Sequence, residues 1–144
     1  MSKGRVLIAD DHIRTRAEVR RVLEESSRFE VCADVADAQA AVEAARREKP
    51  DICLLDIRMP GNGIAATAQI KAELPETAIV MLTVSRADDD LFDALRAGAK
   101  GYLLKGMNED ELPIALERVL NGQASLPGSL VARLIDEFRG RERY

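Results

Sequence analysis

The sequence has little of three residue types that would point to a particular site chemistry: histidine, cysteine and tryptophan. Its 144 residues include one histidine, two cysteines and no tryptophan. Cys32 and Cys53 both lie in apolar runs without His or Cys neighbours at ligand spacing, which excludes a zinc site built on them. We therefore interpret both as reduced core residues and expect a cytoplasmic protein.

Long hydrophobic runs and an excess of basic charge are also missing. No apolar run approaches the roughly 20 residues of a membrane span, so we expect no membrane contact. The start MSKGR leads directly into a strand-like run, and no signal peptide is visible. With 21 Lys and Arg against 25 Asp and Glu, the formal net charge is -4, which argues against DNA binding by this segment alone.

What the sequence does contain is an ordinary globular composition with a regular alternation of patterns. It is 47% hydrophobic and 32% charged, and its length suits a single domain. Short apolar runs predict five strands, and the segments between and after them have helical periodicity. The predicted strands are 6–9, 29–35, 51–56, 78–84 and 101–105. Alternating strands and helices predict an α/β fold, a parallel sheet with helices on both faces.

One composition shift divides the chain near its end. The stretch NGQASLPG (121–128) is rich in Gly, Ser and Pro, and an amphipathic helix follows it outside the α/β alternation. We predict a main domain over 1–123 and a C-terminal helix or linker over 124–144. The apolar stripe of this helix favours packing within the chain over a dimer helix, and exposure of Leu134 and Phe138 would favour the dimer.

Polar residues stand at the carboxyl ends of four predicted strands. Asp10 and Asp11 end the first strand, Asp56 the third, Thr83 lies near the end of the fourth, and Lys105 ends the fifth. In an open parallel sheet these ends form the ligand-binding edge. Acidic residues after a strand often only cap the next helix, but three convergent carboxylates require a cation, and hard oxygen ligands suit Mg²⁺. The set predicts an Mg²⁺-assisted phosphoryl site with an aspartate nucleophile.

The stretches LIADDH, LLDIRMPG, VMLTVS and GAKGYLLK resemble the receiver domain of two-component response regulators. The resemblance covers about residues 5–121 and implies the flavodoxin-like (CheY-like) sheet order 2-1-3-4-5. The last stretch, with NGQASLPGSLVARLIDEF after it, is similar to the NarL/FixJ branch. Members of that branch carry a C-terminal LuxR-type helix-turn-helix domain, which is not among these 144 residues; DNA would be bound only through that domain.

This resemblance implies a role for each matching residue. Asp56 would accept a phosphoryl group from a histidine kinase. Asp11, Asp56 and the backbone carbonyl of Arg58 would ligate Mg²⁺, with Asp10 acting mostly through water. Lys105 would pair with Asp56 and later with the phosphoryl group.

The resemblance also implies a switch. Thr83 would move toward the phosphoryl group and Tyr102 would swing into the vacated space, although a static core tyrosine is the alternative. The surface of the fourth helix, fifth strand and fifth helix would then change and could bind a partner or a second copy.

Three departures from the family pattern stand out. Gly106 follows Lys105 where the family commonly has a cis-proline, and the loop MPGNG is one residue shorter than usual. Arg58 and Ser85 occupy positions that tune dephosphorylation in the family. His12, which follows the acid pair, is interpreted as a loop or helix-start residue near the site, and Asp88–Asp90 as a solvated helix start.

Three other functions compete with this reading. A haloacid-dehalogenase-like phosphatase would need a second acid two residues after the nucleophile, where this chain has Arg58. A flavodoxin-like FMN binder would need a Ser/Thr/Gly phosphate loop where this chain has Asp10 and Asp11. The complete set of site residues argues against a degenerate receiver used only for protein contacts, and the departures at Gly106 and in the loop MPGNG keep that alternative open.

Overall fold

A computed structural model describes residues 3–142, which form five strands and six helices. The strands are β1 (Gly4–Ala9), β2 (Phe29–Val35), β3 (Ile52–Leu55), β4 (Ala78–Thr83) and β5 (Gly101–Leu104). The helices are α1 (Ile13–Glu25), α2 (Ala38–Glu48), α3 (Gly63–Glu73), α4 (Asp88–Ala97), α5 (Glu111–Leu120) and α6 (Gly128–Glu142). The predicted alternation is confirmed, with boundaries shifted by one or two residues.

The five strands form one parallel sheet in the order β2-β1-β3-β4-β5. This is the order that the resemblance implied. The order reverses between β1 and β3, and the carboxyl ends of these two strands therefore flank the crevice in which open α/β sheets bind ligands.

Alternate residues of each strand contribute to two separate cores, as a sheet covered on both faces requires. In β1, Leu7 and Ala9 face the core formed with α2, α3 and α4, whereas Val6 and Ile8 face the core formed with α1 and α5. Both cores exclude water almost fully, and the sheet is a rigid base for the loops at its carboxyl edge.

Two side chains fix the starts of helices next to this edge. Asp37 accepts a hydrogen bond from the Ala40 backbone N–H at 2.8 Å and caps α2. Asn62 accepts one from the Ile64 N–H at 2.7 Å, so α3 begins at Gly63.

The segment after α5 is tied to the edge of the sheet. The Tyr102 N–H donates to the Ser125 carbonyl at 2.8 Å, and the Ser125 N–H donates to the Lys100 carbonyl at 3.2 Å. Leu130 of α6 is buried in the core beside α4, while Phe138 is 64% exposed. The first turn of α6 thus packs on the domain; farther along, Leu134 is half-buried and Phe138 is exposed, so the condition for a dimer helix is met in part. The final residues of the predicted 124–144 segment, 143–144, lie outside the described residues. Over residues 3–142, none of the helices has the length and apolarity needed to cross a membrane.

Candidate functional site

The structure brings all of the predicted strand-end residues to one edge of the sheet. Asp10 directly follows β1 and Asp56 directly follows β3, while Thr83 is the last residue of β4 and Lys105 directly follows β5. The Asp56 N–H donates to the Ala9 carbonyl at 2.9 Å, which holds Asp56 beside the end of β1. The parallel register of neighbouring strands is the reason that residues far apart in sequence meet here.

Lys105 bridges two of the carboxylates. Its Nζ lies 2.8 Å from Asp10 Oδ2 and 3.2 Å from Asp56 Oδ2. The side chains of Asp10 and Asp56 are 5% and 2% exposed, and that of Lys105 is 13% exposed. Burial alone would lower the pKa of Lys105, but the hydrogen bonds and charges of the two carboxylates outweigh burial and raise it above its usual 10.5. The ammonium therefore stays charged and neutralises part of the cluster.

One carboxylate oxygen in this cluster is left without a partner. Asp56 Oδ1 is buried and has no hydrogen-bond partner among residues 3–142. A buried carboxylate oxygen is costly unless something cationic or a donor satisfies it. Ligand atoms of Asp10, Asp11, His12 and Asp56 all lie within 4.8 Å of one another, a spacing that could hold a metal ion. Three of these residues are carboxylates, whose hard oxygen donors fit Mg²⁺, so these three suit the implied ion.

His12 belongs to this cluster more closely than the sequence indicated. It is the N-cap residue of α1, as its position predicted, and its N–H donates to Asp10 Oδ1 at 2.9 Å. Its Nδ1 lies 3.1 Å from Asp10 Oδ1, 3.3 Å from Asp11 Oδ1 and 3.9 Å from Asp56 Oδ2. The sequence signal was adjacency to the acid pair; only the tight turn into α1 turns the ring back over the carboxylates.

Two further residues support the site and were not predicted from the sequence. The Arg16 guanidinium donates to the Asp10 carbonyl at 2.6 Å and pairs with Asp34, which fixes the turn after β1. Gly63 packs against the backbone of Asp56: a Cβ built there would lie 2.1 Å from the Asp56 carbonyl oxygen. A close backbone approach of this kind admits only glycine.

Thr83 and Tyr102, the predicted switch pair, are linked through one residue. Both are fully buried. Thr83 Oγ1 accepts a hydrogen bond from the Ser85 N–H at 3.2 Å, and the Tyr102 hydroxyl donates to the Ser85 carbonyl at 3.1 Å. The resemblance implied that Tyr102 swings inward on phosphorylation, and its ring already lies inward here. Burial raises the pKa of Tyr102, which keeps the hydroxyl protonated as a donor.

Two of the residues that depart from the family pattern, Gly106 and Arg58, lie near the site. The Lys105–Gly106 peptide is trans, as are the other peptide bonds of residues 3–142, and Gly106 has a φ of +95°. Proline, with its φ fixed near −65°, cannot adopt that conformation, so this loop requires glycine rather than merely tolerating it. The Arg58 guanidinium pairs with the Asp90 carboxylate at 2.8 Å.

Comparison with known proteins gives a consistent result at the level of the family. Residues 6–117 match the family described as the response regulator receiver domain. The oxygen regulatory protein NreC of Staphylococcus aureus (strain JH9) is 36% identical over 136 residues, which cover 93% of this chain and 63% of that protein. The chain thus spans less than two thirds of the length of this curated relative.

Two solved structures extend the likeness to three dimensions. A two-component response regulator of the LuxR family from Aurantimonas sp. SI85-9A1 superimposes with a TM-score of 0.88 at 31% identity, over 94% of this chain and 98% of that chain. The signal receiver domain of the putative response regulator NarL from Mycobacterium tuberculosis gives a TM-score of 0.82 at 33% identity, over 85% of this chain and all of that one. Both support the NarL/LuxR-type branch.

Proposed function

The chain belongs to the response regulator receiver domain family, and from that premise we propose that Asp56 accepts a phosphoryl group from a sensor histidine kinase. Response regulators of this family receive their signals from such kinases. The observation that carries the assignment is the buried Asp56 carboxylate, which has one oxygen unpartnered among residues 3–142 and the other held by Lys105 at 3.2 Å.

The transfer step needs little beyond positioning and charge neutralisation. The unpartnered oxygen of Asp56 attacks phosphorus, the new O–P bond forms, and the phosphoryl donor leaves with the electrons of its broken bond. Lys105, already beside Asp56, neutralises one phosphoryl oxygen, and the Thr83 hydroxyl donates to another. Asp10, Asp11, Asp56 and the Arg58 carbonyl would hold Mg²⁺, which when bound supplies charge neutralisation for the transferring group.

The two adjacent aspartates have different parts in this proposal. Asp10 is buried and already accepts from Lys105 and His12, whereas the Asp11 side chain is 37% exposed and lies 3.3 Å from His12 Nδ1. This supports direct ligation by Asp11 and an indirect, water-mediated part for Asp10.

The protein is a signalling switch rather than a conventional enzyme. The chain would catalyse its own phosphorylation and dephosphorylation, without turning over an external substrate. Thr83, Ser85 and Tyr102 form one hydrogen-bonded unit beside Asp56, and a shift of Thr83 toward a phosphoryl group would break its 3.2 Å bond to Ser85. That rearrangement would change the surface formed by α4, β5 and α5.

The output would be transcription regulation through a further domain. We assign residues 1–123 to the receiver and 124–144 to a helix that leads toward a LuxR-type DNA-binding domain in a cytoplasmic protein. The formal net charge of the 144 residues is −4, so they carry no excess of positive charge with which to bind DNA phosphates. The full-length protein is expected to bind DNA in gel-shift assays, whereas the 144-residue segment is expected not to.

A second copy of the chain is a further partner in this proposal, and the groove between α4 and α6 supports it. A groove of about 610 Å³ between α4 and α6 is lined by apolar residues that include Phe92, Leu95 and Phe138. The two predicted dimer surfaces, the α4–β5–α5 face and the C-terminal helix, therefore adjoin each other. Sedimentation of the chain with and without acetyl phosphate distinguishes a phosphorylation-driven dimer from a constitutive one.

Intact-mass measurement after incubation with acetyl phosphate tests the proposed function. The wild-type chain should gain one phosphoryl group in Mg²⁺ and far less in EDTA. Asp56→Asn, which keeps the shape but removes the nucleophile, should gain none. Equal labelling of the variant would relocate the acceptor, and an unlabelled wild-type chain would contradict the function.

A further inference from the structure

Asp90 differs from the other acidic residues at the start of α4. Asp88 and Asp89 are exposed, as a solvated helix start predicts, but the Asp90 side chain is only 18% exposed. Its Oδ2 accepts from the Arg58 guanidinium at 2.8 Å and from the Ser85 hydroxyl at 2.5 Å. One carboxylate oxygen thus holds two side chains that come from different loops.

Both of these side chains stand next to the phosphorylation site. Arg58 lies two residues after Asp56, and Ser85 lies two residues after Thr83. Because β3 and β4 are neighbouring strands, the pair between Arg58 and Asp90 spans the gap between their carboxyl ends. Ser85 is also bonded through its backbone to Thr83 and Tyr102, so Asp90 is connected to the switch unit.

Hydrolysis of an aspartyl phosphate requires a water molecule beside the phosphoryl group, where Arg58 and Ser85 lie. The water oxygen forms a bond to phosphorus while the bond from phosphorus to the Asp56 oxygen breaks. The carboxylate is regenerated, and inorganic phosphate leaves with the protons of the water. A Ser85 hydroxyl whose hydrogen is donated to Asp90 cannot donate to that water or to the phosphoryl group. The Arg58 guanidinium is paired with the same carboxylate and is therefore held in place beside the phosphorylation site.

We propose that Asp90 is a positioning residue that lengthens the lifetime of the phosphoryl group on Asp56 by holding Arg58 and Ser85 in place. The inference rests on the proposed function, since it concerns the loss of the group that Asp56 accepts. The Asp90 side chain contacts the guanidinium of Arg58 and the hydroxyl of Ser85, and it acts through these two residues.

Asp90→Asn tests this inference with minimal change of shape. The amide retains an oxygen that can accept from Ser85 but lacks the charge that holds Arg58. After labelling with acetyl phosphate and removal of the donor, the phosphorylated fraction is followed by intact mass. We expect hydrolysis about threefold faster than in the wild type, the range set by a partly exposed ion pair. Asp89→Asn, one residue away and exposed, is the matched control and should leave the rate unchanged.

A double-mutant cycle separates positioning from a general loosening of the fold. Arg58→Ala should also accelerate hydrolysis, and Asp90→Asn added to it should have little further effect, because its partner is gone. The rate of labelling by acetyl phosphate should remain that of the wild type in Asp90→Asn and in Asp89→Asn.

The outcomes separate this inference from the function on which it rests. An unchanged or slower hydrolysis rate in Asp90→Asn, an equal effect of Asp89→Asn, or additive effects in the cycle would overturn the inference alone. A wild-type chain that takes no phosphoryl group would overturn the inference and the proposed function together.

Discussion

Lys105→Met tests the electrostatic account of the site without any phosphorylation. The variant retains an apolar stem of similar length but removes the ammonium that lies 2.8 Å from Asp10 and 3.2 Å from Asp56. Two carboxylates that are 5% and 2% exposed are then left without their cation. Breaking a buried pair by removing one partner costs about 3–5 kcal/mol.

The lower end of that range applies here, because His12 and water can approach the freed carboxylates. We expect the free energy of unfolding to fall by about 3 kcal/mol in EDTA at pH 7. For a domain of this size the midpoint of thermal unfolding should fall by about 8 °C. Urea and thermal unfolding measure both quantities, and Lys100→Met, at an exposed position, is the matched control and should cost far less.

Mg²⁺ provides a second test of Lys105→Met, in which stability should rise on adding the ion. With Lys105 gone, Mg²⁺ no longer competes with the ammonium for Asp10 and Asp56, so Mg²⁺ should raise the unfolding midpoint more in the variant than in the wild type. A variant as stable as the wild type in EDTA, or one that gains less from Mg²⁺, would refute the pairing described here.

The pH dependence of this difference follows from the raised pKa of Lys105. A group whose pKa is higher in the folded state stabilises fully below its unfolded value, near 10.5, and loses that contribution as pH rises through the folded value. The stability gap between wild type and Lys105→Met should be constant from pH 7 to 9 and should narrow only above about 10.5. A gap that closes near neutral pH would contradict the sign of the shift.

Three further predictions use other parts of the structure. Asp11→Ala should abolish Mg²⁺ binding in calorimetry more completely than Asp10→Ala, and equal losses would break the distinction between direct and indirect ligation. Burial raises the pKa of Cys53 to about 12, so iodoacetamide at pH 8 should leave it unmodified in the native chain and label it in urea, as peptide mass spectrometry reports. Gly63→Ala places a Cβ 2.1 Å from the Asp56 carbonyl and should cost about 3 kcal/mol in urea unfolding; an unchanged stability would mean that the backbone yields there.

Most of the fold could be predicted from the sequence, because strand and helix periods are local signals. The apolar runs located all five strands, and the strand-end polar residues followed from the geometry of a parallel sheet. The strand order came from the resemblance, since hydrophobic pattern alone does not specify which strands are neighbours.

The unpredicted parts of the site depend on side-chain direction and on non-local pairing. The burial of Asp90 depends on Arg58, 32 positions away along the chain, reaching it from a neighbouring loop. The ring of His12 turns back over the carboxylates only because α1 begins immediately after it. The first turn of α6 is buried through Leu130 while Phe138 stays exposed, a division that a uniform apolar stripe does not reveal.

The most direct test of the central claim is to locate the phosphoryl group on the chain. After incubation with acetyl phosphate and Mg²⁺, peptide mass spectrometry of the wild-type protein should find one phosphoryl group, on the peptide that contains Asp56 and on that residue. Asp56→Asn should show none on any peptide. A phosphoryl group on another residue of the wild-type chain, or undiminished labelling of Asp56→Asn, would contradict the account.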